Sequence, residues 1–276
     1  MSYGVYILIL TGSIYVGISL LMYFFQHFFF FRPEILPSNF VYDYPFDFEE
    51  KTFEMEDGGS VNSLHFKVPN TRGVVYYFKG NSRSIKGWAK FANDFIGNGY
   101  DFFVMDYRGF GKSKGKRTEA KLYDDSQQIY KYLHGIFEEK DIIIYGRSMG
   151  SGIATRIASW NNPRMLLLDS PYYSFWHQTR RFGFFLPLRL ILRYKIRTDQ
   201  FIKKVSAPIY IIHGTKDRLI PFFNSERLKA IRPDDIHLHR VEGAGHNNLP
   251  EFAEYHEFIY QRLNEASIDW PKVVAV

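Results

Sequence analysis

The sequence predicts an α/β fold: a mainly parallel central sheet with helices on both faces, a short basic and aromatic cap, and an N-terminal transmembrane helix ahead of it. Three observations carry that expectation. From residue 73 onward, short β-branched or aromatic runs alternate with stretches of helical period. The run Ile142-Ile143-Ile144-Tyr145 ends in Gly146-Arg147-Ser148-Met149-Gly150, and a helical pattern follows at once. Two later β-rich runs lead into Asp217 and His246, at strand carboxyl ends, where open α/β sheets place their sites.

Residues 5–25 carry no charge, a length that at about 1.5 Å per residue crosses a hydrocarbon core as a helix. A cleaved leader wants a basic n-region and a small-residue cleavage site, and neither is evident. We therefore read residues 1–32 as an uncleaved, single-pass membrane anchor. Its nearest cations, Arg32 and Lys51, follow it, which by the positive-inside tendency leaves the main domain cytoplasmic. Pro33, Pro37 and Pro45 mark residues 33–52 as a linker. The main domain is expected over residues 53–270. It opens with a hairpin, residues 53–56 and 61–68, around Asp57-Gly58-Gly59. Strands are then expected at 73–78, 101–106, 141–145, 164–168, 208–212 and 236–241, and helices at 85–96, 118–137, 150–160, 224–231 and 251–265. Between 168 and 208 the alternation breaks, and residues 171–206 read as a cap insertion.

Composition narrows the chemistry. A chain of 276 residues that is 46% hydrophobic and 23% charged can fill a core. Cysteine is absent, which excludes disulfides, thiolate metal sites and a cysteine nucleophile. The net charge of +6 is concentrated in the insertion, where Arg180, Arg181, Arg189, Arg193, Lys195, Arg197, Lys203 and Lys204 face one anion, Asp199. A nucleic-acid binder would spread its basic footprint over a face of the main domain, so no nucleic-acid partner is expected. His237 and His239 lack metal-ligand spacing, and Gly109-Phe110-Gly111-Lys112-Ser113 lacks the phosphate-loop spacing. No metal or cofactor is expected.

The G-x-S-x-G run suits a nucleophile. A tight strand-to-helix turn leaves no room for a Cβ two residues either side of the serine, hence Gly146 and Gly150. Serine is a weak nucleophile unless a base takes its proton and a carboxylate holds that base. Asp217 and His246 follow in the order Ser, Asp, His. Asp169 also ends a strand and is the alternative acid. Asp106 with Arg108 reads as a turn brace, and His213 as a packed side chain.

Residues 53–264 resemble the α/β-hydrolases of the BEM46-like group, single-anchor serine hydrolases related to mammalian hydrolase-domain protein 13. The motifs that carry the resemblance are Tyr77-Phe78-Lys79-Gly80-Asn81, Met105-Asp106-Tyr107-Arg108-Gly109 with Gly111 and Ser113, Gly146-Arg147-Ser148-Met149-Gly150, His213-Gly214-Thr215-Lys216-Asp217 and Gly243-Ala244-Gly245-His246. The resemblance implies Ser148 as nucleophile, His246 as general base and then acid, and Asp217 as the orienting carboxylate. It also implies an oxyanion hole from the backbone N–H groups of Met149 and Asn81. Lys79 stands where relatives often carry His. The cap aromatics Tyr172, Tyr173, Phe175 and Trp176 are candidate contacts for an apolar acyl chain, and the cap cations suit anionic headgroups. An ester or thioester is the expected substrate class. A peptidase or amidase using the same residues is one alternative, and a membrane-surface lipid- or partner-binding module another.

Overall fold

The computed structural model describes residues 2–181, 183 and 185–265, so residues 266–270 of the expected domain and Phe182 and Phe184 of the expected cap lie outside the described residues. The β-rich runs form one eight-stranded sheet in the order β1-β2-β4-β3-β5-β6-β7-β8. Its strands are β1 (Phe48–Glu54), β2 (Ser60–Phe66), β3 (Val74–Phe78), β4 (Asp101–Met105), β5 (Ile142–Arg147), β6 (Met165–Asp169), β7 (Ile209–Gly214) and β8 (Ile236–Val241). The β1–β2 hairpin and the β2–β4 pair are antiparallel, and every pairing from β4 to β8 is parallel.

The central strands are buried on both faces because helices cover both, as parallel sheets require. The two-residue period divides each strand between two cores. Val74, Tyr76, Phe78, Ile142 and Ile144 fill one side, and Val75, Tyr77, Ile143 and Tyr145 the other. The helix expected at 118–137 is Glu119–His134, started by Thr118, whose hydroxyl accepts from the Lys121 amide at 3.2 Å. The single helix expected at 85–96 is instead Ile85–Trp88, a 3₁₀ turn Ala89–Ala92 and Asn93–Ile96. Gly87 is a poor helix former, and the Trp88 indole N–H is held on the Ser82 carbonyl at 2.7 Å.

Residues 33–52, expected as an extended linker, run bound along the domain. The Leu36 amide donates to Gly111 O at 3.0 Å, and the Gly111 amide to Glu34 O at 2.7 Å. Tyr42 is buried with its hydroxyl on Asn62 Oδ1 at 3.0 Å, and β1 begins already at Phe48. The prolines keep the segment extended, but apolar side chains every few residues bind it to the domain. The insertion folds as short helices, Phe175–Arg180, Leu188–Ile191 and Thr198–Phe201.

Ahead of all this runs one helix, Tyr3–Phe30, of 28 residues, with a mean hydropathy of 2.1 over an 18-residue window. It is long and apolar enough to cross a membrane. Ser19 and Gln26 are its only buried described residues.

Candidate active site

Ser148 is the residue between β5 and the helix Met149–Ala158, at φ 53° and ψ −122°. A β-carbon costs energy at that φ, so neighbouring packing must hold the serine there. The packing is tight. A Cβ on Gly150 would lie 2.1 Å from the Phe78 carbonyl, and one on Gly146 2.5 Å from Ala154 Cβ. The elbow therefore needs both glycines, and it sets the start of its helix against the end of β3. A Cβ on Gly80 would come 3.7 Å from that of Ser148, so the loop after β3 passes beside Ser148.

The structure brings the three expected residues together. Ser148 Oγ is 3.0 Å from His246 Nε2, and His246 Nδ1 is 2.7 Å from Asp217 Oδ2. An ionised carboxylate only accepts, so Nδ1 carries the proton toward Asp217 and Nε2 is left to accept from the serine hydroxyl. Asp217 Oδ1 also accepts from the Leu219 and Ile220 amides at 2.9 and 2.8 Å. Burial alone would raise the Asp217 pKa, but hydrogen bonds from His213 and His246 and the Ile220 amide outweigh it and hold the carboxyl below its ordinary range.

Asp169, the alternative acid, faces elsewhere. Its carboxylate is buried among the Tyr145 hydroxyl (3.1 Å), Arg147 Nε (3.2 Å) and the Ser170 hydroxyl (2.9 Å). The reason is register: Asp169 is still within β6, whereas Asp217 lies three residues beyond β7, on a turn that reaches across to the His246 loop.

Two supporting residues escaped the sequence reading. His213 is packed, as expected, but it is also a partner of Asp217. Its Nε2 lies 2.8 Å from Ile220 O and 3.2 Å from Asp217 Oδ2, while Nδ1 accepts from the Ser225 hydroxyl at 2.6 Å. The i, i+4 spacing of His213 and Asp217 was the available signal. Arg147, inside the elbow motif, is buried against Asp169 and donates to the His246 carbonyl at 3.2 Å, tying the histidine loop to the elbow. No local pattern announces that role.

Lys79 is wholly buried, 3.3 Å from Asp106 Oδ1, 3.0 Å from the Arg83 carbonyl and 3.7 Å above the Phe110 ring. Burial penalises both charges: it pushes Lys79 down to about 8 and Asp106 up to about 6, with each partner's charge opposing. Asp106 also accepts from the Ile85 amide at 3.0 Å, while Arg108 pairs with Asp125 at 2.7 Å. These two braces hold the loops on either side of β4.

Among the cap aromatics, Tyr172 is buried with its hydroxyl on the Met149 carbonyl at 3.2 Å, and Phe175 packs edge-on to it. Tyr173 and Trp176 instead line a groove of about 540 Å³ with Leu188, Arg189, Lys195 and Arg227. A second groove, about 310 Å³, lies between Phe24 and His27 of the long helix and Arg117, Arg193 and Tyr194. Ser148 lines neither.

Residues 69–201 match the family described as "Serine aminopeptidase, S33". An uncharacterized protein of Mycobacterium tuberculosis is 30% identical over 207 residues, 73% of each chain. Alpha/beta hydrolase domain-containing protein 17C of Xenopus tropicalis is 31% identical over 207 residues, covering 71% of this chain and 63% of that protein. Among solved structures, an esterase of Pyrococcus furiosus superposes with a TM-score of 0.63 at 21% identity, covering 84% of this chain and 98% of its own. A monoacylglycerol lipase of Paleococcus ferrophilus superposes at 0.57 and 20% identity, covering 74% and 98%. A mainly parallel eight-stranded sheet, a serine elbow after its fifth strand and these relatives agree, and the chain belongs to the α/β-hydrolase superfamily of enzymes.

Proposed function

We propose that this hydrolase is a membrane-anchored serine esterase or thioesterase acting on apolar acyl substrates through Ser148, His246 and Asp217. The observation that carries the reading is the unbroken line from Ser148 Oγ to His246 Nε2 (3.0 Å) and from His246 Nδ1 to Asp217 (2.7 Å). Ser148 Oγ attacks the carbonyl carbon as His246 Nε2 takes its proton. The oxyanion is received by the Met149 and Asn81 amides, at the start of a helix whose dipole favours negative charge. His246 gives the proton to the leaving oxygen or sulfur, leaving an acyl-Ser148. Water, deprotonated by His246, then releases the acid. Asp217 stabilises the imidazolium without taking its proton.

Labelling by a fluorophosphonate tests this. The wild-type chain is expected to label, and Ser148→Ala to lose both labelling and turnover by about 10⁴-fold or more while melting at the same temperature. A folded wild-type chain that does not label removes the reading. The aminopeptidase family match favours one second reading, an amidase or peptidase with the same residues. Faster turnover of aminoacyl anilides than of p-nitrophenyl esters would select it.

The helix Tyr3–Phe30 is the proposed single-pass anchor, with the catalytic domain on the cytoplasmic side. Tyr173 and Trp176 are the proposed acyl contacts of the cap, in a groove that Ser148 does not line, and Arg189, Lys195 and Arg227 in the same groove suit anionic headgroups.

A further inference from the structure

The last turn of the long helix is fastened to the loop that carries Asn81. Asn81 Nδ2 donates to the Phe30 carbonyl at 2.9 Å, one of the final carbonyls that a helix cannot satisfy internally. The Arg32 amide donates to Asn81 O at 2.8 Å, and the Arg83 amide donates to Arg32 O at 3.0 Å, so that Arg32 and Ser82 form a parallel bridge. Phe31, 1% exposed, is wedged between Phe110 and Tyr194 with the Arg117 guanidinium 4.1 Å from its ring.

One turn earlier the same helix holds the cap. Gln26, also 1% exposed, donates from Nε2 to the Ile191 carbonyl at 3.0 Å and accepts at Oε1 from the Arg193 amide at 2.9 Å. Phe30 meets Phe175 edge-on at 4.8 Å. A helix serving only as a tether needs one covalent link to its domain. This one commits a buried glutamine, a buried phenylalanine and two backbone bridges to the cap and to the loop beside Ser148. Both the side chain of Asn81 and its carbonyl are taken up by the helix end, which fixes the Asn81–Ser82 peptide plane and the Cα from which the Asn81 N–H projects.

We infer that the anchor helix is a working part of the acyl-transfer site. The Asn81 side chain and Gln26 are positioning residues through which the helix end aims the Asn81 amide at the oxyanion and seats the cap. The inference rests on the reading of this chain as a serine hydrolase with Asn81 N–H in its oxyanion hole. It makes turnover of a fully soluble substrate depend on the anchor's final turns, although such a substrate never needs the membrane.

The experiment uses the full chain in detergent micelles with p-nitrophenyl butyrate, and rates are divided by active sites titrated with fluorophosphonate. Asn81→Ala keeps the backbone amide and removes its tie to Phe30. The expected result is a fall in kcat of between about tenfold and 100-fold, the range for a displaced oxyanion donor, with KM within twofold. Affinity for an alkyl boronic acid, whose serine adduct is tetrahedral, should fall by the same factor. Gln26→Leu, which keeps the helix apolar, should lower kcat in the same direction by less, and Thr11→Ala on the exposed part of the helix should leave it unchanged. Equal kcat and equal boronate affinity per titrated site in wild type and Asn81→Ala would overturn the inference while leaving the serine mechanism intact. A wild-type chain that neither labels nor turns over would overturn both.

Discussion

His213 shows how one buried side chain can hold another in place. It shares its Nε2 proton between the Ile220 carbonyl and Asp217 and accepts from Ser225, so the turn that presents Asp217 is held from three sides. His213→Leu leaves a hydroxyl and a carbonyl without their partner in a dry site. We expect it to lower stability by about 1–3 kcal/mol in thermal melting. Turnover should fall less than the roughly 10⁴-fold that follows altering the proposed orienting carboxylate itself. Asp217 also sets a pH dependence. Its folded pKa lies below the value of about 3.9 expected of an unfolded aspartate. A carboxylate depressed in this way stabilises the fold above about pH 4, and the contribution is lost as pH falls through the folded value. Asp217→Asn should therefore lower the melting temperature more at pH 7 than at pH 3. Equal losses at both would show that its ionisation contributes nothing to the fold.

At the scale of elements, the loop after β3 and the turn after β4 are held by one buried ion pair, Lys79 with Asp106. Neither charge is comfortable there, since burial moves both pKa values toward the neutral forms. Removing one partner strands the other. Lys79→Met should cost about 3–5 kcal/mol, and adding Asp106→Asn should return part of it, because the amide can still accept from Ile85. A double variant no more stable than Lys79→Met alone would show that the lysine acts by packing on Phe110 rather than by its charge. The elbow is the second such element. Its conformation is imposed by the closeness of the Met149–Ala158 helix to β3, which is why both glycines are required.

For the whole molecule, the long helix is the element long and apolar enough to cross a membrane. It carries no charged residue among positions 5–25, and most of its side chains are exposed in the described structure. The protein should stay with membranes through an alkaline carbonate wash. A Leu10→Lys, Ile14→Lys variant should be released, as each lysine near a bilayer centre costs about 2.5–3.5 kcal/mol. Because the chain has no cysteine, Lys140→Cys, at a site with 70% side-chain exposure, reports sidedness cleanly. A cytoplasmic domain predicts reaction with an impermeant maleimide only after the membrane is opened. Reaction on intact cells would reverse the orientation. The cap stands against the end of this helix, so its cations lie near the lipid surface if the helix spans.

What the sequence determined by itself was whatever a short window can hold. A charge-free run of membrane length, a period that alternates between two and 3.6 residues, and a serine flanked by glycines between a strand and a helix are all local patterns. They sufficed for the fold class, the elbow and the three residues now found within hydrogen-bonding distance. The choice between Asp169 and Asp217 was not local, because both come at the end of a strand. The path of the loop after β7 is what brings Asp217, and not Asp169, to His246. Nor did the prolines of residues 33–52 reveal that this stretch is bound along the domain, since packing depends on the surface it meets. The ties of Asn81 to Phe30 and of Gln26 to the cap join residues 51 and 165 positions apart. Only the folded chain brings such distant groups together, because hydrogen bonds act over about 3 Å of space and are blind to separation along the sequence.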